Sequence, residues 1–500
     1  MTTARHGKRG VPGRTAGMTT RAPDGEPDGV PPDPIITRNR TADVMAALVR
    51  SFGWDEETLV PMFTSTRQAS ILNPARVEAG LRDNEGPLSG ISVTTGSPWW
   101  HSPHEAYRQG ATSSPNGVLV GDTSVGKSAF LKTEIGRLIE TGGRAVVFDR
   151  KRQSGSGYSD HGEYERLASI PSIPTARLIL DRTPGQGAVI NILDPAIARV
   201  DDEETHAGQD ELLRLAAEVA LGRALTQKET TALAAAHGRA WAENSEPTVT
   251  DVVTALYGLD TRAAPGPSRD GVPVLEALGL VDRSSMVEWG LDVALALKRF
   301  VDGDLSGLIN GATHAPDGGP LDLTAPLIVV DVSAMAPGSI ALGFMQVVVI
   351  SYLESRWMTM PGDKLIVIEE AYSDEDAPRV AKMLKRTAKR ARGTGTMLLS
   401  AWHHLSDVQD GSDLWALIKE TGVQYLYRQR SRHDAEAVCR FWDLDPGTYV
   451  PLLTSLPKGQ FLVVMGSRPP EVIQHIRTSQ EMWITDTDAA LYGVGQEAGS

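Results

Sequence analysis

Residues 118–128 read Val-Leu-Val-Gly-Asp-Thr-Ser-Val-Gly-Lys-Ser, a G-x-x-x-x-G-K-S pattern directly behind a short apolar run. Few short segments constrain a fold as strongly, because this one works only between a buried strand and the first turn of a helix. Asn116-Gly117 is a turn signal, and Val118–Val120 is a buried-strand run. After Ser128, the residues Phe130, Leu131, Ile135, Leu138 and Ile139 recur near helical spacing, and Thr141-Gly142-Gly143 stops that helix. Gly121 and Gly126 let the intervening loop curl so that its amides point inward. Such a cradle takes phosphates. Gly121, Asp122, Thr123, Ser124, Val125, Gly126, Lys127 and Ser128 are the expected nucleotide-binding residues. Lys127 supplies charge to the β- and γ-phosphates of ATP, and the Ser128 hydroxyl can ligate Mg²⁺.

The remaining sequence alternates in the same way. Apolar, β-branched runs occur at 118–120, 144–148, 177–180, 327–332, 365–368, 397–401, 424–427 and 461–465. Near-continuous apolar strands separated by helices predict an α/β fold with a mostly parallel sheet and helices on both faces. Between 196 and 312 the period is helical throughout, at 211–225, 227–240, 250–257, 274–280 and 287–301, which predicts an all-α insertion. The expected divisions are a disordered tail at 1–40, a small N-terminal leader at 41–115 and the first part of the core at 116–195. The insertion at 196–312, the second part of the core at 313–475 and a C-terminal tail at 476–500 follow. Within the leader one helix is expected at 41–52, then irregular polar sequence.

Charge and cysteine content limit the function classes. The net charge of −14 argues against nucleic-acid binding by the whole surface, though not by a local basic channel. The single cysteine, Cys439, excludes an internal disulfide framework and a cysteine-based zinc site. The longest apolar stretch, 340–353, is interrupted by Gly343, Gln346 and Ser351 and reads as a buried helix, not a membrane span. The N-terminus is basic but lacks an apolar core, so it does not read as a secretory signal.

A phosphate cradle binds nucleotide; hydrolysis also needs an acid on the neighbouring strand. Lys364-Leu-Ile-Val-Ile-Glu369-Glu370 provides two carboxylates at a strand's C-terminal end, where open α/β sheets place their ligands. Glu369 is the candidate for holding Mg²⁺ and Glu370 for polarising the attacking water. The usual first residue of such a pair is Asp, so Glu369 carries a longer arm. The plainer reading is two carboxylates favoured by a helix dipole. Asp331 ends another strand and either supports the metal site or caps the next helix. The strand at 397–401 runs into Trp402-His403-His404, and His403 is the candidate γ-phosphate sensor, with a surface-loop histidine as the alternative. Two adjacent histidines also suggest metal binding, but consecutive strand residues point to opposite faces, so a joint site is expected only if both lie in the loop. Arg379, Lys382, Lys385, Arg386, Lys389, Arg390 and Arg392 form a basic run. It is a solvated helix face, an arginine finger into a neighbouring subunit through Arg386 or Arg390, or a nucleic-acid surface. Arg428, ending the strand at 424–427, is the second finger candidate.

In this order, these blocks resemble the HerA/FtsK superfamily of P-loop motors, and within it the conjugation (type IV secretion) ATPases of the TraC-like kind, over about residues 95–470. Val147-Phe148-Asp149-Arg150-Lys151 followed by Gly162-Glu163-Tyr164 looks like the family's D-x-K-G-E-Y block opened by an insertion at 152–161. Asn191-Ile192-Leu193-Asp194-Pro195 resembles N-x-L-D-P. Leu225-Thr226 to Glu229, with Pro247-Thr248-Val249, resembles the helical insertion. Glu369-Glu370-Ala371 fits the acidic motif. Ser400 to Asp407 aligns with A-T-Q-x-x-S-D, with His403 in place of the sensor Gln, and Leu456-Pro-Lys-Gly459-Gln-Phe resembles the closing L-x-x-G-x-x. The resemblance implies a RecA-like core and a hexameric ring with ATP between subunits. It also implies cytoplasmic protein, peripheral at the inner face of the membrane beside secretion-channel proteins.

Three functions are compatible with this sequence. One is an ATPase that energises conjugative transfer or secretion through protein partners. Another is a motor that itself translocates DNA. The third is a nucleotide-gated scaffold with little turnover, suggested by Glu369 and His403 in the places of Asp and Gln.

Overall fold

A computed structural model of the chain describes residues 86–150, 162–183, 185–197, 207–259, 283–336, 339–369, 385, 395–405, 408 and 410–486. All of them belong to one compact unit spanning 77–500. The helices expected at 41–52 and 274–280 lie outside these residues, as do Glu370, Arg386 and Arg390.

Among the described residues eleven strands form one sheet. In chain order they are β1 (Leu88–Ser92), β2 (Pro98–Trp100), β3 (Gly117–Val120), β4 (Arg144–Asp149), β5 (Thr175–Ile179) and β6 (Leu327–Asp331), then β7 (Lys364–Glu369), β8 (Thr396–Trp402), β9 (Val423–Tyr427), β10 (Gln460–Met465) and β11 (Glu471–His475). Their order across the sheet is β2-β1-β11-β10-β9-β3-β8-β7-β4-β6-β5. The seven strands from β9 to β5 are parallel, and β3 lies between β8 and β9. This is the expected mostly parallel α/β core. The strand expected at 461–465 forms as β10 but runs antiparallel to β9, since an apolar run carries no information on direction.

Among the described residues twelve α-helices accompany the strands: α1 (Pro103–Arg108), α2 (Lys127–Glu140), α3 (Glu165–Ala168), α4 (Ala207–Leu221), α5 (Gln227–Glu243), α6 (Val249–Tyr257), α7 (Arg283–Asp302), α8 (Ile340–Trp357), α9 (Asp413–Lys419), α10 (Arg432–Phe441), α11 (Pro446–Ser455) and α12 (Ser479–Thr485). Alternate residues of each central strand serve opposite faces. Val118 and Val120 of β3 join the larger core, which holds α8 and the apolar faces of α4 to α7. Leu119 joins the other core with Phe130, Leu131 and Ile135 of α2. A strand buried on both faces needs apolar residues throughout, and all four residues of β3 are buried.

The stretch expected to be all-α contains α4 to α7, and α7 packs on the other three. Capping boxes at Thr226/Glu229 and Thr248/Asp251 fix two of its helix starts. Asn191 ties this bundle to the core: its amide Nδ2 donates to the Pro247 carbonyl at 2.8 Å while its Oδ1 accepts from the Leu193 amide at 3.0 Å. The N-x-L-D-P block thus provides a contact between the core and the bundle.

Two readings need correction. Residues 86–115 are not irregular: β1, β2 and α1 occupy them, and β1 pairs with β11 to extend the main sheet. Their signal is weak because Gly90 interrupts β1. A Cβ there would lie 2.4 Å from Cγ2 of Ile473, so close strand approach requires glycine at the cost of pattern. The C-terminal stretch also does not begin as a tail. Helix α12 packs on α2, and the Arg137 Nε donates to Glu481 Oε1 at 2.7 Å. Among the described residues no helix is long and apolar enough to cross a membrane.

Candidate active site

The loop 121–126 leaves β3 and closes into α2. Gly121 has no alternative: a Cβ would sit 2.5 Å from the Tyr427 Cβ on the adjacent strand. Gly126 has φ 114°, and Ser124 is held at φ 60°, a conformation that costs a non-glycine residue free energy. The loop is pinned to its neighbours. The Gly121 amide donates to the Trp402 carbonyl at the end of β8 (3.2 Å), and the Asp122 amide to the Arg428 carbonyl at the end of β9 (3.0 Å). The Gly459 amide donates to the Val125 carbonyl at 2.9 Å, which accounts for the L-x-x-G-x-x block. Helix α2 starts at Gly126 with no side-chain cap and no acidic residue in its first turn, whereas α5, α6 and α12 carry capping boxes. Its first amides and the positive end of its dipole are thereby left for an anion.

Lys127 is buried. Its ammonium donates to the Gly121 carbonyl (2.5 Å) and the Asp122 carbonyl (2.7 Å), and lies 3.3 Å from His403 Nδ1. On the opposite side, the Ser128 hydroxyl donates to Glu369 Oε2 at 3.4 Å. The sequence places the acid on the strand next to the loop. The structure instead inserts β8 between β3 and β7, because strand order follows crossovers that a sequence does not encode. Helix α2 compensates by carrying Ser128 across to the end of β7. β8 delivers His403 between the two.

A second layer holds Glu369. The Tyr164 hydroxyl donates to its other oxygen, Oε1. Burial, and then the Glu369 charge, keep that hydroxyl protonated well above the usual phenol range. The Tyr164 amide donates to Asp149 Oδ2 at 2.9 Å, so the two halves of the interrupted D-x-K-G-E-Y block meet in space. Lys132 of α2 pairs with Glu163 at 3.2 Å, both side chains being nearly inaccessible.

Lys127, Ser128, Glu163, Glu369 and His403 line a cavity of about 730 Å³ together with Lys458, Arg477 and Trp483. Arg477 and Trp483 were not legible as site residues; they lie beyond the last strand and carry no local motif. Arg428 is exposed beside the loop, touching it through its carbonyl. Asp331 accepts from its own Ser333 amide at 2.8 Å, a local turn. His403 and His404 face different partners: His404 lies 3.9 Å from Asp434. Of the basic run, Lys385 pairs with Asp413 at 3.1 Å. The hydroxyl and carboxylate oxygens of Ser128 and Glu369, in contact with each other, are hard donors of the kind that Mg²⁺ prefers.

No family model matches the chain, and no curated protein matches it. Among solved structures the chain is similar to VirB4 of Thermoanaerobacter pseudethanolicus, with a TM-score of 0.60 and 20% identity over 81% of this chain and 100% of that one. It is also similar to the bacterial conjugative coupling protein TrwB, at a TM-score of 0.48 and 14% identity over 78% and 88%. A third is the genome packaging NTPase B204 of Sulfolobus turreted icosahedral virus 2, at 0.33 and 10% over 72% and 98%. The chain has the fold of the VirB4 structure along that structure's entire length.

Proposed function

We propose that this chain is an ATP-hydrolysing motor that energises conjugative transfer or a type IV-like secretion process. The observation that carries this reading is the meeting of Lys127 and Ser128 with the sequence-distant Glu369 and His403 around one cavity behind an uncapped helix start. The order of sequence blocks and the fold shared with VirB4 support the biological setting.

The residues divide the work as follows. The loop amides and Lys127 grip the phosphates, Lys127 exchanging the carbonyls of Gly121 and Asp122 for phosphate oxygens. Ser128 and Glu369 are the residues that would hold Mg²⁺, which when bound neutralises phosphate charge. Glu370, one residue past Glu369, polarises water for attack on the γ-phosphate. His403, beside the Lys127 ammonium, reports whether the terminal phosphate is present. A ring of subunits, hexameric by family resemblance, supplies Arg386, Arg390 or Arg428 across an interface. The ring works in the cytoplasm against channel proteins at the membrane.

Lys127→Ala tests the premise. Nucleotide binding and turnover should both disappear; unchanged affinity and rate would remove the phosphate-cradle claim. Specific ATPase activity of the native chain should rise with protein concentration if the site is completed by a neighbour, and a flat profile would overturn the shared site. Binding of ATP with no hydrolysis under any assembled condition would leave a nucleotide-gated scaffold instead of a motor.

A further inference from the structure

Gly162-Glu163-Tyr164 stands beside the proposed metal and phosphate ligands, and each of its residues is fixed by a different device. Gly162 lies against Asp149 so closely that a Cβ would meet Asp149 Oδ2 at 2.1 Å. Glu163 is bound by Lys132. Tyr164 is 1% exposed, anchored by its amide to Asp149, and its ring lies 5.4 Å beneath the Lys132 ammonium. Its hydroxyl is therefore delivered to Glu369 by a rigid frame built from β4 and α2.

We propose that Tyr164 is a positioning residue: its hydroxyl holds Oε1 of Glu369 so that Oε2 stays turned toward the Ser128 hydroxyl. The inference rests on the reading of Ser128 and Glu369 as the Mg²⁺ pair. Glutamate has one more methylene and one more rotatable bond than aspartate, so a strand-end Glu can swing its carboxylate away from a metal position. Fixing one oxygen by a hydrogen bond removes that freedom and leaves the other oriented. The contacts then close a circuit from Ser128 of α2 to Glu369, to Tyr164, and back through Lys132 to α2. A carboxylate clamped in this way reports on the position of the phosphate-gripping helix.

Tyr164→Phe keeps the buried ring and removes only the hydroxyl. Binding of a fluorescent ADP analogue is measured with EDTA and across a Mg²⁺ titration. Affinity without metal should be unchanged, while the strengthening of binding by Mg²⁺ should fall about 10-fold, the usual size of loss for an outer partner of a metal ligand. In a Glu369→Ala background the Tyr164→Phe change should add nothing, because no carboxylate is left to position. A normal Mg²⁺ response in Tyr164→Phe would overturn the proposal. So would equal losses with and without metal, or the same loss in both backgrounds, since each makes Tyr164 a packing residue. The underlying reading fails separately: Glu369→Ala by itself would then keep the full Mg²⁺ response.

Discussion

The ion pair between Lys132 and Glu163 lends itself to a sized test. Its side chains are 1% and 7% exposed and 3.2 Å apart, so water contributes little to either charge. Replacing Lys132 with methionine keeps the stem and removes the ammonium, leaving a buried carboxylate without its main countercharge. Breaking such a pair costs about 3–5 kcal/mol. For a cooperative body of roughly 400 residues, that is a fall of roughly 4–6 °C in the unfolding midpoint. Differential scanning calorimetry without nucleotide is the assay. The loss should differ little between low and high salt, because buried pairs are poorly screened. The paired change Lys132→Met with Glu163→Leu should recover most of it, since apolar residues of similar volume replace a buried pair at little cost. Two results refute the reasoning. A shift under about 1 °C in the single variant means that the pair is hydrated in solution, and a double variant as unstable as the summed singles means that each residue acts alone.

Glu370→Gln should retain ATP binding and slow hydrolysis roughly 100-fold, as expected on losing a group that positions water; a rate within a few-fold of wild type removes Glu370 from the chemistry. Burial first, with nearby arginines adding to it, holds the His101 and His475 rings at about 3. The unfolded chain takes up protons on both near pH 6.5 while the folded chain does not, so stability falls as pH drops from 6.5 toward 3, and His475→Gln should make that slope shallower in thermal melts. Burial raises the Glu134 carboxyl to about 7. The folded chain keeps this proton after the unfolded chain has released it near 4.5, so stability is lost as pH rises from 4.5 through 7. The loss is about 3 kcal/mol, and Glu134→Gln should abolish it.

How much of this was legible depended on the distance over which each feature is encoded. The phosphate loop is written in eight consecutive residues, and every one of its predicted elements formed, because the strand, the turn and the helix start all obey local rules. The parallel strands were readable for the same reason: burial on both faces demands apolar residues in succession, as in Leu365–Ile368. Strands β1 and β11 were not. They lie toward the end of the sheet, carry Gly90, Gln474 and His475, and pair with each other across nearly 400 residues. The placement of β8 between β3 and β7 was likewise invisible, since three similar apolar runs can be ordered in several ways.

The site shows where local reading stops and why. Lys127, Ser128, Glu369 and His403 could each be named from a motif, yet their working relations come from the sheet order. β8 lies between the loop and the acid, which puts His403 against the Lys127 ammonium and leaves Ser128, one residue into α2, to reach Glu369. Substitutions at one position then have to be read with their spatial partners. Glu369 in place of the usual Asp looks in sequence like a weakened metal ligand. In the structure, the extra methylene brings its carboxylate within reach of two hydroxyls at once, Ser128 and Tyr164. The longer side chain and the buried tyrosine therefore have to be read together, and neither residue by itself predicts what the other does to the site.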